Sequence, residues 1–248
     1  MHVRPSLRRH LPLCLLLLVA GAACDSKSKA PEPAAPASPA ADVADPAPAA
    51  PTNEPQAAPS GGSGATVQAA VGQPAPDFTL PDLDGDPVRL ADHRGKTVVL
   101  EWFNPQCPFV RMSHTKGSLV DAPARHQKDG VVWLAINSNA PGKQGHDPDV
   151  NRQALTELGM DYPLLRDEAG DVGRQYGATH TPHMFVIDPN GTLVYAGAID
   201  NSPDGEGASP QGGTLVRYVD QALAELAANK PVSVPQTKAY GCTVKYVD

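Results

Sequence analysis

Beyond residue 66 the chain alternates short apolar runs with polar breaks rich in glycine and proline. Val98-Val99-Leu100 and Trp102-Phe103 enclose one acid, Glu101, and predict a buried strand over 97–103. Val131 to Ile136 is a second such run. β-Branched and aromatic residues in runs this short favour strands over helices. Asp84-Gly85 predicts a tight turn between two short strands, one ending at Leu80 and one over 88–90. Asp188-Pro189-Asn190-Gly191 does the same between strands over 183–187 and 192–198. Helices are predicted over 108–120, 149–158, 170–176 and 213–227, with Gly159 and Gly177 stopping the second and third. Residues 162–165 read as a short extended piece, and 240–246 alternates like a short strand that docks on the body. The order is hairpin, βαβα with a crossover helix, hairpin, helix. It predicts an α/β sheet covered on both faces. Ligands of such sheets sit at the carboxyl ends of the strands. The turn after Phe103 and the polar loop 137–146 both belong on that rim, and Gly142 and Gly145 would let the loop move.

The first 66 residues carry a different pattern. Arg4, Arg8 and Arg9 precede an apolar stretch from Leu11 to Ala20, too short for a stable membrane span, and Gly21-Ala22-Ala23 ends it with small residues. Residues 1–23 therefore read as a secretory signal. Cys24 follows directly. This ending resembles the lipobox of bacterial lipoproteins, where the cysteine is lipidated and becomes the new N-terminus. Gly21 stands where leucine is usual, and plain cleavage is the alternative. Residues 24–66 are mostly alanine and proline, contain no aromatic residue and end in Ser60-Gly61-Gly62-Ser63-Gly64. Such a segment cannot bury enough surface to offset chain entropy, so it is predicted to be a disordered, extended tether. Residues 67–248 have the size of one domain. The expectation is an exported lipoprotein of the bacterial cell envelope, facing the periplasm and held to the membrane through Cys24.

The chain has 20 Lys and Arg against 27 Asp and Glu, a net charge of −7; loss of the signal's three arginines makes it −10. That excludes a nucleic-acid partner, since phosphate binding needs a basic surface. With Cys14 in the signal and Cys24 at the anchor, the folded part keeps Cys107 and Cys242. In an exported protein such a pair is a structural disulfide or a redox couple. Asn104-Pro105 breaks the strand and Pro108 suits the first position of a helix, so Cys107 falls at a helix N-terminus. The helix dipole there favours thiolate, and Cys107 is the candidate nucleophile; the alternative is a buried, inert cysteine. Arg111 and His114 lie four and seven residues on, sharing a helical face that would stabilise the anion or simply be solvated. Glu101 either relays protons to Cys107 or reaches the rim and pairs with a lysine or arginine. Lys143 and His146 would rim the same opening. Asp200, Asp204 and Glu206 lack calcium-loop spacing, and His180 with His183 lack further zinc ligands, so neither metal nor cofactor is assigned.

Further motifs extend this picture. Ala75-Pro76-Asp77-Phe78-Thr79-Leu80, Gly95-Lys96, Cys107-Pro108, Thr181-Pro182 and Asp188-Pro189-Asn190-Gly191 resemble the alkyl hydroperoxide reductase/thiol-specific antioxidant (redoxin) family. Cys107-Pro108-Phe109-Val110, Ala135-Ile136-Asn137-Ser138-Asn139 and Gly241-Cys242-Thr243-Val244-Lys245 are similar to its peroxiredoxin-like members. The resemblance implies a thioredoxin-like α/β fold, a central mixed sheet flanked by helices, over essentially the whole folded domain. It implies that Thr181-Pro182 is a cis-proline pair facing the active cysteine. Cys107 matches the second cysteine of the thioredoxin motif and the peroxidatic cysteine of peroxiredoxins. Asn104 then stands in place of the first thioredoxin cysteine, or of the peroxiredoxin threonine, which removes dithiol chemistry within the motif. The peroxiredoxin arginine has no counterpart, because Thr181-Pro182-His183 occupies its neighbourhood. His180 and His183 flank the proline pair and would bring a base or charge partner near the cysteine, or remain loop histidines.

These readings predict an exported thiol-dependent oxidoreductase with antioxidant, peroxiredoxin-like activity. Cys107 would attack a peroxide or a partner disulfide. Cys242, an external thiol or a thioredoxin-like reductant would resolve the product. Cys242 could instead pack as a small apolar residue. The competing class is a binding module of the same fold, a copper carrier or a partner-contact domain without turnover.

Overall fold

In the computed structural model, which describes residues 68–247, the apolar runs become one five-stranded sheet. The expected signal, Cys24 and the tether to residue 66 lie outside the described residues. Strands β1 (Thr79–Pro81) and β2 (Pro87–Arg89) form the hairpin around Asp84-Gly85. The central strand is β3 (Val98–Trp102). Strands β4 (Val132–Asn137) and β5 (Leu164–Arg166) run parallel to it on one side. A two-residue strand, β6 (His180–Thr181), stands apart from this sheet. On the other side β7 (His183–Ile187) runs antiparallel to β3 and β8 (Leu193–Gly197) antiparallel to β7, which completes the mixed sheet in the order β5-β4-β3-β7-β8.

Period-two alternation along β3 sends its side chains to two different cores. Val98, Leu100 and Trp102 pack with Leu134, Tyr176 and Phe185 on one face. Trp102, Tyr176 and Phe185 form an aromatic cluster with ring centroids 5.0 to 5.5 Å apart. Val99 and Phe103 pack with Val110, Trp133 and Leu223 on the other. Burying each such large side chain stabilises the fold by about 1.5–3 kcal/mol. Both faces are covered, as the parallel strands require.

The helices are α1 (Pro108–Thr115), α2 (Ala122–Lys128), α3 (Pro148–Leu158), α4 (Asp171–Tyr176) and α5 (Tyr218–Ala227). Gly159 and Gly177 cap α3 and α4 in the left-handed conformation. Three expectations need correction. The first helix stops at Thr115 rather than Val120, because Gly117 presses against Gly205, where an added Cβ would lie 2.1 Å from the carbonyl oxygen. A separate helix, α2, follows, entered through Pro123; its seven residues are too few to show a period in the sequence. The last helix begins at Tyr218 rather than Gly213, because the chain turns at Gly212-Gly213, both at positive φ, and the Arg217 backbone is extended in a bridge to Asp200. The tail strand shrinks to β9 (Cys242–Thr243), which pairs antiparallel with β6.

Candidate active site

Strand β3 delivers the chain into the turn Phe103–Gln106, and Cys107 N donates to Asn104 O at 3.1 Å. Cys107 is the N-cap of α1 and Pro108 its first residue. The Thr181-Pro182 bond is cis, and Thr181 O accepts from Cys107 Sγ at 3.1 Å. On β9, Cys242 is the register partner of Thr181, so the tail crosses the rim with its sulfur toward α1. The sulfurs of Cys107 and Cys242 lie 2.7 Å apart, both as free cysteines. Gly241 makes this approach possible: its φ is 113°, and a Cβ there would fall 2.2 Å from Thr181 O. Burial first, then the hydrogen bond and charge of Cys107, push the Cys242 pKa up to about 12, so Cys242 is a thiol at neutral pH.

The loop 137–146, whose glycines would let it move, is held at both ends, while residues 141–144 are exposed. Asn137, Ser138 and Asn139 are buried. Asn137 Nδ2 donates to Gly145 O at 2.8 Å and to Asn151 Oδ1 at 2.9 Å, which ties both ends of the loop to α3. Gly145 is needed for contact rather than mobility, since its Cβ would sit 2.1 Å from Asn104 Oδ1. Asn104 Oδ1 in turn accepts from Gln106 N at 2.9 Å and shapes the turn before Cys107. His146 lies 3.1 Å from Glu168 Oε1, while Lys143 is exposed. Sequence reasoning missed Ser138 and Asp167: Trp102 Nε1 donates to Ser138 Oγ, which donates to Asp167 Oδ2 at 2.6 Å. Burial raises the Asp167 pKa against these hydrogen bonds. The sequence signals were a polar run directly after an apolar strand and the place of Ser138 in the motif Ala135–Asn139, neither of which points to Asp167.

Glu101 is fully buried on the α1 side of β3 and, among the described residues, meets neither a lysine nor an arginine. Its Oε1 pairs with His114 Nε2 at 2.7 Å; its Oε2 accepts from Trp133 Nε1 at 3.0 Å and Tyr162 Oη at 3.1 Å. Burial, and secondarily the Glu101 charge, hold the Tyr162 phenol protonated by raising its pKa. His114 thus cross-links α1 to β3 instead of facing solvent beside the thiol. Arg111 parts from it, donating to Pro105 O at 3.3 Å and pairing with Glu157 at 2.6 Å. The shared face expected for the two residues is therefore split: a helix packed on a sheet buries one side and leaves the flank wet.

The histidines beside the proline pair also turn elsewhere. His180 and His183 line a cavity of about 650 Å³ with Tyr176, Phe185 and tail residues 236–239; Cys107 is not in its wall. His183 Nδ1 accepts from Thr179 N at 3.3 Å, and its ring lies on Phe185 with centroids 4.5 Å apart. Burial, with His180 second, lowers its pKa to about 4. The unfolded chain protonates this histidine near pH 6.5 and the folded protein only near 4, so between them the unfolded state binds more protons. Stability is therefore expected to fall as pH drops through that window, by about 3 kcal/mol from this group. Urea titrations at pH 7 and 4.5 check this: His183→Gln should lose about 2–3 kcal/mol less than wild type on acidification. Equal losses would remove His183 as the cause. Among the described residues no group of three or more His, Cys, Asp or Glu side chains converges as a metal site.

A helix-capping cysteine opposite a cis-proline, on a mixed sheet of this order, defines a thioredoxin-fold protein. The AhpC/TSA family matches residues 71–196, more than half of the chain, and the chain belongs to that family. It is similar to the thiol-disulfide oxidoreductase ResA of Geobacillus thermodenitrificans, 36% identical over 126 residues that cover 50% of this chain and 67% of that protein. It is also similar to the chloroplastic peroxiredoxin Q of Gentiana triflora, 27% identical over 52% of this chain and 60% of that protein. Among solved structures, an uncharacterized conserved protein from Geobacillus kaustophilus superposes with a TM-score of 0.63 at 31% identity, covering 72% of this chain and 93% of that one. The family match ends at Ala196, so Cys242 and its tail lie beyond it.

Proposed function

We propose that this chain is an exported thiol-dependent oxidoreductase with peroxiredoxin-like chemistry, in which Cys107 is the nucleophile and Cys242 resolves it. Family and relatives support thiol oxidoreductase activity. The observation that carries the assignment is the 2.7 Å contact of two sulfurs across the Thr181–Cys242 bridge. The place of Cys107 at the N-terminus of α1, with burial pushing the Cys242 thiol up, supports Cys107 as the sulfur that attacks. The Cys107 thiolate attacks the terminal oxygen of a hydroperoxide; the O–O bond breaks, and the departing alkoxide or hydroxide takes a proton. The resulting sulfenic acid condenses with the Cys242 thiol, forming the disulfide and releasing water. An external thiol or thioredoxin-like reductant then returns both cysteines to thiols. With a partner disulfide, the same thiolate forms a mixed disulfide and expels the partner's other sulfur.

Export rests on residues 1–23, membrane attachment on Cys24, and reach on the tether 24–66, leaving 67–248 as the working domain. The chemistry is tested by peptide mapping after one equivalent of hydrogen peroxide. A Cys107–Cys242 disulfide peptide is expected in the wild type and sulfenic acid at Cys107 in Cys242→Ser. Sulfenic acid that persists beside a free Cys242 thiol in the wild type would overturn the resolving role. A Cys107 that peroxide leaves unmodified would overturn the nucleophile.

A further inference from the structure

Cys107 is 1% exposed although it caps a helix at the rim where the sheet opens. Thr181 O closes one side of its sulfur, and Cys242 the other. Past Cys242 the tail continues across the rim. Val244 N donates to Thr179 O at 3.1 Å, Lys245 N to Asn139 Oδ1 at 3.0 Å, and Ala140 N to Lys245 O at 2.8 Å. The tail thus bridges the cis-proline strand and the loop after β4, and Cys107 lies beneath the span.

Tyr246 ends the bridge in a seat shaped for its ring. Cβ atoms on Gly170 and Gly173 would lie 2.5 and 2.4 Å from Tyr246 atoms, so only glycine leaves room at either position. The Arg174 guanidinium lies 4.6 Å from the ring centroid, and Tyr246 Oη donates to Ala178 O at 2.7 Å. The half-buried ring, held on three sides, fixes the end of a segment that is otherwise held by backbone hydrogen bonds and by the buried Val244 side chain.

We propose that Tyr246, by clamping the tail over Cys107, determines the substrate class: a hydroperoxide needs only a small local displacement beside the sulfur, and a protein disulfide reacts only when the whole tail lifts. This rests on the reading of Cys107 as nucleophile. The two reactions differ in the space they need. Attack on a hydroperoxide places two oxygens at the sulfur, breaks O–O and releases an alcohol or water. Attack on a protein disulfide places two more sulfurs and their backbones there, forms one S–S bond and expels a thiolate. The backbone edge at Thr181, which borders the Cys107 sulfur, is already filled by β9. The reactive population toward a large partner is then the lifted fraction only, and the apparent rate falls by that fraction.

The full-length reduced protein is treated with hydrogen peroxide or with insulin as the disulfide probe, and modification of Cys107 is followed by peptide mass mapping. Tyr246→Ala is expected to react with peroxide within about twofold of wild type and with insulin at least about tenfold faster. Tyr246→Phe keeps the ring under Arg174 and should stay close to wild type with both. Gly173→Ala pushes the same ring from below and should act like Tyr246→Ala, which keeps the test open if one variant folds poorly. Equal insulin rates in wild type and both tail-loosening variants overturn the clamp. A wild-type Cys107 that reacts with insulin and not with peroxide overturns the substrate class. If neither reagent modifies Cys107 in any variant, the nucleophile reading itself fails.

Discussion

Cys107→Ser is expected to lower peroxide consumption by the reduced protein by on the order of 10³-fold or more. A serine hydroxyl at a helix N-terminus keeps the turn and the cap but is not ionised at neutral pH, so it offers no comparable nucleophile. Cys242 does not take over. Its pKa, near 12, owes its rise first to burial, which the serine variant keeps, and only then to Cys107. The thiolate fraction at Cys242 therefore stays low where a peroxide assay is run. Circular dichroism of the variant should match the wild type, because the hydroxyl retains a donor for Thr181 O. Wild-type consumption by a folded Cys107→Ser protein would show that the chemistry lies elsewhere.

Glu101→Leu is expected to destabilise the protein by about 3–5 kcal/mol, the range for breaking a buried, partnered charge. Leucine fills a similar volume but accepts nothing. The Trp133 indole N–H and the Tyr162 hydroxyl lose their acceptor and His114 its partner, in a core where each orphan costs about 1–3 kcal/mol. The loss also frees α1 from β3, the two elements that set the height of Cys107. Glu101→Gln keeps one carbonyl acceptor and should fall between. His114→Leu combined with Glu101→Leu should cost clearly less than the two single losses together, because each single variant already abandons the same pair. Urea titration at pH 7 measures the three single variants and the double, and a Glu101→Leu loss below about 1 kcal/mol would mean that the network does not hold the helix.

The hairpin turns, the β-branched runs and the glycine stops at Gly159 and Gly177 were legible because each acts within a few residues. The cis bond at Pro182 came through family resemblance, since spacing carries no information on it. The helix ends at Thr115 and Tyr218 were misread because remote groups set them. Gly205 blocks one, and the bridge to Asp200 holds Arg217 extended just before the other.

The candidate site divides along the same line. The strand, the Asn104-Pro105 break and Pro108 place Cys107 at a helix start, and that much is local chemistry written in consecutive residues. Glu101 was conspicuous in its strand, but its partners were not readable. Tyr162 lies 61 residues away, and two donors on other elements outcompete the rim cation that a lone acid in a strand leads one to expect. Cys107 and Cys242 are separated by 135 residues, too far for any periodicity to couple them. Their contact depends on Gly241 passing against Thr181 O, on Asn139 catching Lys245, and on Gly170 and Gly173 seating Tyr246. Sequence by itself determined the elements and the cysteine's place at a turn, because propensity, period and turn chemistry act over a few bonds. Only the tertiary structure decided which groups surround that cysteine, because close approach between distant segments depends on the whole packing at once.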